Sequence, residues 1–255
     1  MDGSPQENLK QIPWQMTRDE LFASGPYPRP FEFNAAVAEV FDNMVLRSIP
    51  LYREVLSATL QWTDRFYIPG TRVVDVGCST GTTLIHLAQC RPSIAELIGI
   101  DTSSPMVEEA QKKACASSGF ERLQFHVADA LDFDFANSSV VIVNYTLQFI
   151  PVAQRKRLLQ NIWEGLSPGG LLILSDKVSS SCAEFQETVT RIYEHFKFSN
   201  GYSKTEIARK KEALENVLVP MSLADEERLI LSAGFSHVEP VMKWHNFVTL
   251  MARKA

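Results

Sequence analysis

The sequence lacks the features that mark membrane-spanning, secreted and low-complexity chains. No stretch approaches the roughly 20 consecutive apolar residues of a membrane span. The first residues, MDGSPQENLKQ, are polar where a secretion signal has an apolar core. Only 12 glycines and 13 prolines occur among 255 residues, too few for a collagen-like or low-complexity chain. With 45% hydrophobic residues, the sequence predicts a soluble globular protein that does not associate with a membrane.

Paired cysteines, metal-ligand histidines and an excess of positive charge are missing as well. Four scattered cysteines form no Cys-x-x-Cys pair, and five histidines show neither His-x-His nor His-Glu-x-x-His spacing. These absences argue against a disulfide framework and a metal site. The 25 Lys and Arg residues are outnumbered by 30 Asp and Glu residues, whereas nucleic-acid binding uses a positive surface. We expect reduced thiols, a cytoplasmic location, no metal and no direct nucleic-acid partner.

The sequence does contain an alternation of short apolar runs with helical stretches. The runs VVDVG, ELIGID, LQFHVA, SVVIVNY and LLILSD are rich in β-branched residues, which is typical of buried strands. Residues 81–90, 104–116 and 153–166, which lie between these runs, have helical spacing of apolar residues. This alternation predicts a parallel sheet whose strand ends share one edge, where open α/β sheets bind ligands.

The segments outside this alternation predict further elements. Residues 1–32 contain five prolines and suggest an N-terminal arm, flexible or folded as a lid, before a domain that spans residues 33–255. Apolar residues at three- and four-residue spacing predict two helices before the first strand. A helical insertion is expected at about 182–217, with its second helix over 203–217. The segments HVEPVMKW and NFVTLMAR predict an antiparallel hairpin that completes the sheet.

The strongest local signal is VVDVGCSTGTT, at the turn from the first strand into a helix. Gly77 and Gly81 allow the backbone to approach a ligand, and the helix that follows offers free amide groups. The spacing differs from the dinucleotide motif Gly-x-Gly-x-x-Gly, because Ser79 stands at the central glycine. A loop around an adenosine with an amino-acid tail is therefore favoured over a pyrophosphate cradle. The alternative is that the glycines only make a tight turn.

Polar side chains end the predicted parallel strands. Asp101 follows Gly77 by 24 residues, close to the interval at which a carboxylate reaches ribose hydroxyls. The alternative role for Asp101 is a helix cap. Asp129 follows the third strand and Asn144 ends the fourth. Together with Asp75 of the first strand, these residues predict one polar site at the edge of the sheet.

This arrangement resembles the class I S-adenosylmethionine-dependent methyltransferase fold over about residues 70–176 and the C-terminal strands. The expected fold class is α/β and Rossmann-like: a mostly parallel sheet with a C-terminal antiparallel hairpin, N-terminal helices and a helical insertion. The resemblance implies that Asp75 and the Gly77–Gly81 loop contact the methionine tail. It also implies that Asp101 contacts the ribose and Asp129 the adenine.

Blocks outside the cofactor motifs are similar to the carboxy-S-adenosylmethionine synthases of bacterial tRNA wobble-uridine modification. These blocks are AEVFDNMVLRSIPLY, NYTLQF, LSPGG, FKFSNGYS and LENVL. The resemblance implies a homodimer that carboxylates the methyl group of S-adenosylmethionine without a metal. Prephenate would be the carboxyl donor, with phenylpyruvate and water as by-products. The residues implied to hold the nucleoside are Tyr52, Gly77, Cys78, Ser79, Asp101, Thr102, Asp129, Ala130 and Asn144.

One position departs from the pattern of this family. The family has an arginine before LENV that reaches from the partner subunit to hold the new carboxylate, and this chain has Lys211 there. Lysine keeps the charge but lacks the planar fork that binds a carboxylate through two parallel hydrogen bonds. Lys211 and Tyr202 are the residues expected at the substrate carboxylate. The alternatives are a solvated helix face for the lysine and simple packing for the tyrosine.

Three functions are compatible with these patterns. The favoured one is a carboxy-S-adenosylmethionine synthase, because an ordinary methyltransferase has no reason to share the additional blocks. The second is a methyltransferase acting on a small molecule, in which Lys211 marks a lost carboxylate site. The third is a non-catalytic nucleoside-binding or assembly protein whose pocket stabilises a dimer.

Overall fold

The structure is a computed structural model that describes residues 17–25 and 30–255. Within these residues seven strands form one sheet: β1 (Arg72–Val76), β2 (Glu96–Asp101), β3 (Leu123–Val127), β4 (Ser138–Asn144), β5 (Leu166–Lys177), β6 (His237–Trp244) and β7 (Phe247–Arg253). Their order across the sheet is β3-β2-β1-β4-β5-β7-β6. Strands β1 to β5 are parallel, and β7 is antiparallel to both β5 and β6. The predicted sheet and its closing hairpin are confirmed.

Eight α-helices are present in the same residues. They are α1 (Ala35–Ser48), α2 (Tyr52–Phe66), α3 (Thr82–Cys90), α4 (Ser104–Cys115), α5 (Val152–Gly165), α6 (Ala183–Ser199), α7 (Lys204–Ala213) and α8 (Leu223–Ser232). The two helices before β1 and the helical insertion between β5 and β6 agree with the prediction. None of these helices is long and apolar enough to cross a membrane.

Two helix boundaries differ from the sequence prediction for backbone reasons. The helix expected from residue 81 begins at Thr82, because Gly81 has a φ of 74° and lies outside the helical region. The helix expected over 203–217 ends at Ala213, and the next residues form turns. Asn216 has a φ of 63° there, which a right-handed helix cannot contain. The shorter helix leaves residues 214–218 as a loop.

Side-chain caps fix where several helices begin. Asn34 accepts a hydrogen bond from the Val37 backbone N–H at the start of α1, and Ser103 caps α4 in the same way. Helix α7 has a full capping box between Ser203 and Glu206. Such caps satisfy backbone donors that would otherwise have no partner in the first turn. They hold the helices around the sheet edge at defined positions.

The sheet is covered by helices on both faces, as its apolar strands require. On β1, Val74 contributes to a core cluster that includes Leu158 of α5, while Val73 contributes to a second cluster that includes Leu56 of α2 and Leu84 of α3. Each of these side chains is at most 2% exposed. The result is a three-layer αβα arrangement that fixes the strand ends around which the site is built.

Part of the predicted N-terminal arm packs against the rest of the protein. Phe22 and Phe31 are buried in a third core cluster together with residues of α1. The backbone N–H of Phe31 donates to the carbonyl of Ala213 at the end of α7, at 3.0 Å. Residues 1–16 and 26–29 of the predicted arm lie outside the described residues. The boundary at residue 33 stays a prediction.

Candidate active site

A cavity of about 830 Å³ opens at the carboxyl edge of the parallel strands. Helices α1, α2, α6 and α7 cover it, and the ends of β1, β2, β4 and β5 form its floor. Eleven of the predicted site residues lie on its wall: Tyr52, Asp75, Gly77, Cys78, Ser79, Asp101, Thr102, Asp129, Ala130, Asn144 and Lys211. The structure does not bring Gly81 or Tyr202 to this wall.

The turn after β1 needs glycine at residue 77. Gly77 has a φ of 68°, and a Cβ built on it would lie 2.3 Å from the Oγ1 atom of Thr146. The backbone N–H groups of Gly77 and Cys78 donate to the carbonyl of Ile100 at 2.8 and 3.0 Å, which ties the turn to β2. The turn therefore packs closely against Thr146, as only glycine allows, and Gly77 lines the cavity.

The Asp101 carboxylate organises the same turn from the end of β2. Its Oδ2 atom accepts from the Ser79 N–H at 3.0 Å, and its Oδ1 atom accepts from the Ser103 N–H at 2.9 Å. Burial raises the pKa of Asp101, and N–H donors from Ser103 and Ser79 partly offset that effect. Ser103 itself caps α4. Asp101 thus supports the helix start and also presents a carboxylate at the cavity wall.

Asp75 places a carboxylate without a hydrogen-bond donor beside the glycine turn. Asp75 is 3% exposed, and no described residue donates to its carboxylate. Burial, followed by the charge of Asp101, raises the pKa of Asp75 to about 8. A buried carboxylate without donors is costly in the free protein, and a cationic ligand would offset that cost. This end of the cavity is therefore suited to a positively charged ligand.

Asp129 and Asn144 are held rigidly at the ends of β3 and β4. The Oδ1 atom of Asp129 accepts from the Leu131 N–H at 2.9 Å. The Asn144 amide donates to Thr59 Oγ1 at 3.3 Å and accepts from Ser175 Oγ at 2.8 Å. Both sides of this amide therefore link β4 to its neighbours. Asp129 also lines the cavity.

Two tyrosines form an aromatic part of the wall between the strand ends and α2. The ring centres of Tyr52 and Tyr145 are 6.3 Å apart, and burial raises the pKa of both hydroxyls. Tyr145, which the sequence analysis did not single out, has a φ of 58° immediately after β4. Burial also raises the pKa of the Cys78 thiol, so this cysteine is not an activated nucleophile.

Gly81 and Tyr202 do not line the cavity because other contacts within the protein hold them. A Cβ on Gly81 would lie 2.7 Å from the Phe125 ring, so Gly81 serves the packing of the turn against β3. The Tyr202 hydroxyl donates to the Asp19 carboxylate, and the Arg47 guanidinium lies 3.8 Å from the centre of its ring. The predicted carboxylate role of Tyr202 stays a prediction.

The insertion contributes lysines to the far side of the cavity. The Nζ atom of Lys211 lies 3.1 Å from Glu194 Oε1, and the Lys211 side chain is 64% exposed. Lys177 at the end of β5 and Lys197 on α6 also line the cavity, as does Tyr193. These three residues were missed by the sequence analysis.

No group of three or more His, Cys, Asp or Glu residues that could hold a metal occurs among the described residues.

Solved structures that resemble this chain share its fold. The S-adenosylmethionine-dependent methyltransferase SibL in its apo form has a TM-score of 0.60, with 20% identity, and the match covers 96% of this chain and 64% of that chain. Magnesium protoporphyrin IX methyltransferase from Synechocystis, solved with bound SAH, has a TM-score of 0.55 and 20% identity, covering 79% of this chain and 83% of that chain. At this identity the likeness concerns the fold alone.

Sequence comparisons are more specific. A family model described as a methyltransferase domain matches residues 73–170. The carboxy-S-adenosyl-L-methionine synthase of Trichodesmium erythraeum is 50% identical over 93% of this chain and 94% of its own length. The synthase of the same name from Campylobacter fetus is 41% identical, over 93% of this chain and all of its own length. The chain therefore belongs to the carboxy-S-adenosyl-L-methionine synthase family.

Proposed function

We propose that this protein converts S-adenosylmethionine and prephenate into carboxy-S-adenosylmethionine, phenylpyruvate and water, and so supplies a precursor for tRNA wobble-uridine modification. Relatives at 50% and 41% identity that carry the synthase name support this proposal. The observation that carries it is the charge distribution of the cavity. Asp75, Asp101 and Asp129 line the side next to the glycine turn. Four lysines from β5, α6 and α7 line the other side, together with Glu194, Glu212 and Glu215.

The cavity residues fit S-adenosylmethionine. Its sulfonium and amino groups are cationic, and Asp75 offers a buried carboxylate to which no residue of the described part of the chain donates. The Thr146 side chain packs where a Cβ of residue 77 would lie, and the backbone of the glycine turn borders the cavity. We expect Asp101 and Asp129 to contact the nucleoside, with Tyr52, Cys78, Ser79, Thr102, Ala130 and Asn144 around it. A volume of about 830 Å³ lies in the upper range of small-molecule pockets and leaves room for a second organic molecule.

The proposed reaction is balanced by its two substrates alone. A carbon–carbon bond forms between the methyl carbon of S-adenosylmethionine and the carboxyl carbon released from the ring of prephenate. The methyl group loses one proton, and the ring hydroxyl of prephenate takes a proton and leaves as water. Prephenate becomes phenylpyruvate, so no external oxidant or reductant is required. The protein's part is to bind both molecules, orient them and exclude water.

Lys211 is proposed to hold the carboxylate of the product. We expect Lys211→Ala to weaken the binding of carboxy-S-adenosylmethionine by about 10-fold or more, because a charge-assisted contact is lost. Binding of ordinary S-adenosylmethionine should change less than about twofold. Calorimetric titration with each ligand measures both effects. Equal weakening of the two ligands would show that Lys211 does not contact the additional carboxylate.

Two broader features belong to the same proposal. We infer a homodimer, supported by the family resemblance. We infer a cytoplasmic location from the cysteines, all four of which are free.

Turnover of the purified protein tests the function. The protein is incubated with S-adenosylmethionine, with and without prephenate, and the nucleosides are separated by liquid chromatography. Formation of a carboxylated nucleoside only with prephenate supports the proposal. Loss of the methyl group to an added acceptor without prephenate would instead identify a methyltransferase, the alternative in which Lys211 marks a lost carboxylate site. Binding without any turnover would indicate a non-catalytic nucleoside-binding protein.

A further inference from the structure

Four lysines line the cavity, and two of them already have partners among the described residues. Lys210 donates to Ser48 Oγ at 3.0 Å and lies 3.7 Å from the Asp19 carboxylate. Lys211 lies 3.1 Å from Glu194. The positive charges of these two lysines are therefore at least partly balanced within the chain.

The other two, Lys177 and Lys197, form no ion pair in the described part of the chain, although the charge of Glu194 partly offsets the lowering of the pKa of both. Their Nζ atoms lie 4.9 and 4.4 Å from the ring centre of Tyr193, so both ammonium groups gather around one aromatic ring. Lys197 is the buried residue of a helix whose other side chains are at least partly exposed, and it is only 6% exposed itself. Both residues line the cavity. The two groups thus form a compact cationic cluster that faces the ligand space.

Such a cluster is unfavourable in the free protein. Lysines are rarely buried without a partner, because an unpaired charge loses its hydration. Burial, followed by the neighbouring charges of Lys210 and Lys177, lowers the pKa of Lys197 to about 7. Burial and Lys211 lower the pKa of Lys177 as well. An anion bound between the two lysines would offset this cost.

We propose that Lys177 and Lys197 form a carboxylate-binding subsite that holds the organic-acid co-substrate beside the adenosyl pocket. This inference rests on the proposed function and assigns the binding of its second substrate. Lys177 ends β5, which is separated from β1 by one strand, and the two strands are therefore about 10 Å apart. The acid would lie next to the ligand held by Asp75, within the distance that two small molecules span side by side.

Aromatic residues define the class of acid that fits. Tyr193 and Phe247 have ring centres 5.1 Å apart, and Tyr145 lies 6.3 Å from Phe247. All three line the cavity next to the lysines. Flat apolar surfaces of this kind pack against a six-membered ring. The subsite therefore suits a ring-bearing acid with one or two carboxylates better than a short aliphatic acid.

The experiment compares Lys177→Met and Lys197→Met with wild type and with Lys204→Met. Lys204 is exposed at the start of α7 and does not line the cavity, so its variant controls for loss of a positive charge. Methionine keeps most of the length of the side chain, and removal of an unpaired buried charge does not endanger folding. We expect each cavity variant to raise the KM for prephenate by about 10- to 150-fold. The Kd for S-adenosylmethionine should stay within about twofold in every variant.

The pH dependence of kcat/KM for prephenate distinguishes a binding role of Lys197 from a purely structural one, because a structural role would leave this dependence unchanged. In the wild type, kcat/KM for prephenate should fall as pH rises through about 7, because Lys197 loses its proton and its charge. The charged and titratable groups facing Lys197 are Tyr193 and Glu194 of its own helix, Lys177 of β5, and Lys210 and Lys211 of α7. In Lys197→Met this fall near pH 7 should be absent, because the group that titrates there has been removed.

The outcomes separate this inference from the proposed function. A raised KM for prephenate with an unchanged Kd for S-adenosylmethionine supports the subsite. An active wild type whose two lysine variants keep the wild-type KM and pH profile would overturn the subsite and leave the function intact. If prephenate is not turned over, calorimetric titration of prephenate into the protein loaded with S-adenosylmethionine decides. If prephenate binds and each lysine substitution abolishes that binding, the subsite is supported and the proposed function is not. If prephenate does not bind, both the subsite and the function are rejected.

Discussion

Replacing Gly77 by alanine is expected to abolish measurable binding of S-adenosylmethionine and to lower the free energy of unfolding by about 2–5 kcal/mol. Gly77 has a φ of 68°, a conformation that alanine adopts only with strain. The new Cβ would also lie 2.3 Å from Thr146 Oγ1 and 2.6 Å from Thr146 Cγ2. Since the turn is tied to β2 by two hydrogen bonds, it cannot move away without losing them. Calorimetric titration and urea denaturation measure the two effects.

Gly70 provides a matched control for this substitution. Its φ is 84°, and a Cβ built there has no atom within 4 Å. Gly70→Ala therefore introduces the backbone strain without the collision, and we expect a loss of about 1–2 kcal/mol with unchanged ligand binding. If Gly77→Ala bound S-adenosylmethionine as the Gly70 variant does, the close backbone approach would not be needed for the ligand.

Replacing Asp101 by alanine is expected to reduce the affinity for S-adenosylmethionine by about 100-fold or more. The carboxylate holds the Ser79 N–H at 3.0 Å and the Ser103 N–H at 2.9 Å, so its removal loosens the glycine turn. The proposed contacts of Asp101 to the ribose hydroxyls would be lost at the same time, and each hydrogen bond to a charged group contributes about 1.5–3 kcal/mol. Calorimetric titration of the purified variant measures the Kd.

Asp134 makes the equivalent local contact away from the cavity. Its Oδ1 atom accepts from the Ala136 N–H at 2.8 Å, two residues ahead, as Asp101 does with Ser103. Asp134→Ala therefore removes the same type of turn contact and should leave the Kd within about twofold. Equal losses of affinity in both variants would mean that Asp101 acts through general stability and has no direct part in the site.

The fold and one side of the site could be predicted from the sequence because they depend on periodicity. Parallel strands are recognisable as apolar runs. Because these runs alternate with helices, the carboxyl ends of the strands are expected at one edge of the sheet. This rule is sufficient to bring Asp75, Asp101, Asp129 and Asn144 to the cavity wall. Extended to the fifth run, the same rule would have indicated Lys177, which ends β5.

The other side of the cavity depends on tertiary packing and could not be predicted in the same way. Lys197 lies between Phe196 and Phe198 on α6, and a lysine is normally expected at an exposed position. It is buried where α6 packs near α1 and α7. Tyr202 shows the opposite case, since Asp19 and Arg47, which are distant in sequence, hold it away from the cavity. Such contacts between remote segments leave no local pattern.

The most direct test follows the carboxyl group itself. Prephenate labelled with carbon-13 in its ring carboxylate is incubated with the protein and S-adenosylmethionine, and the nucleoside product is examined by mass spectrometry. The account predicts a carboxylated nucleoside that carries the label, formed together with phenylpyruvate. Label that appears only as free carbon dioxide or bicarbonate, with the nucleoside left uncarboxylated, would contradict it.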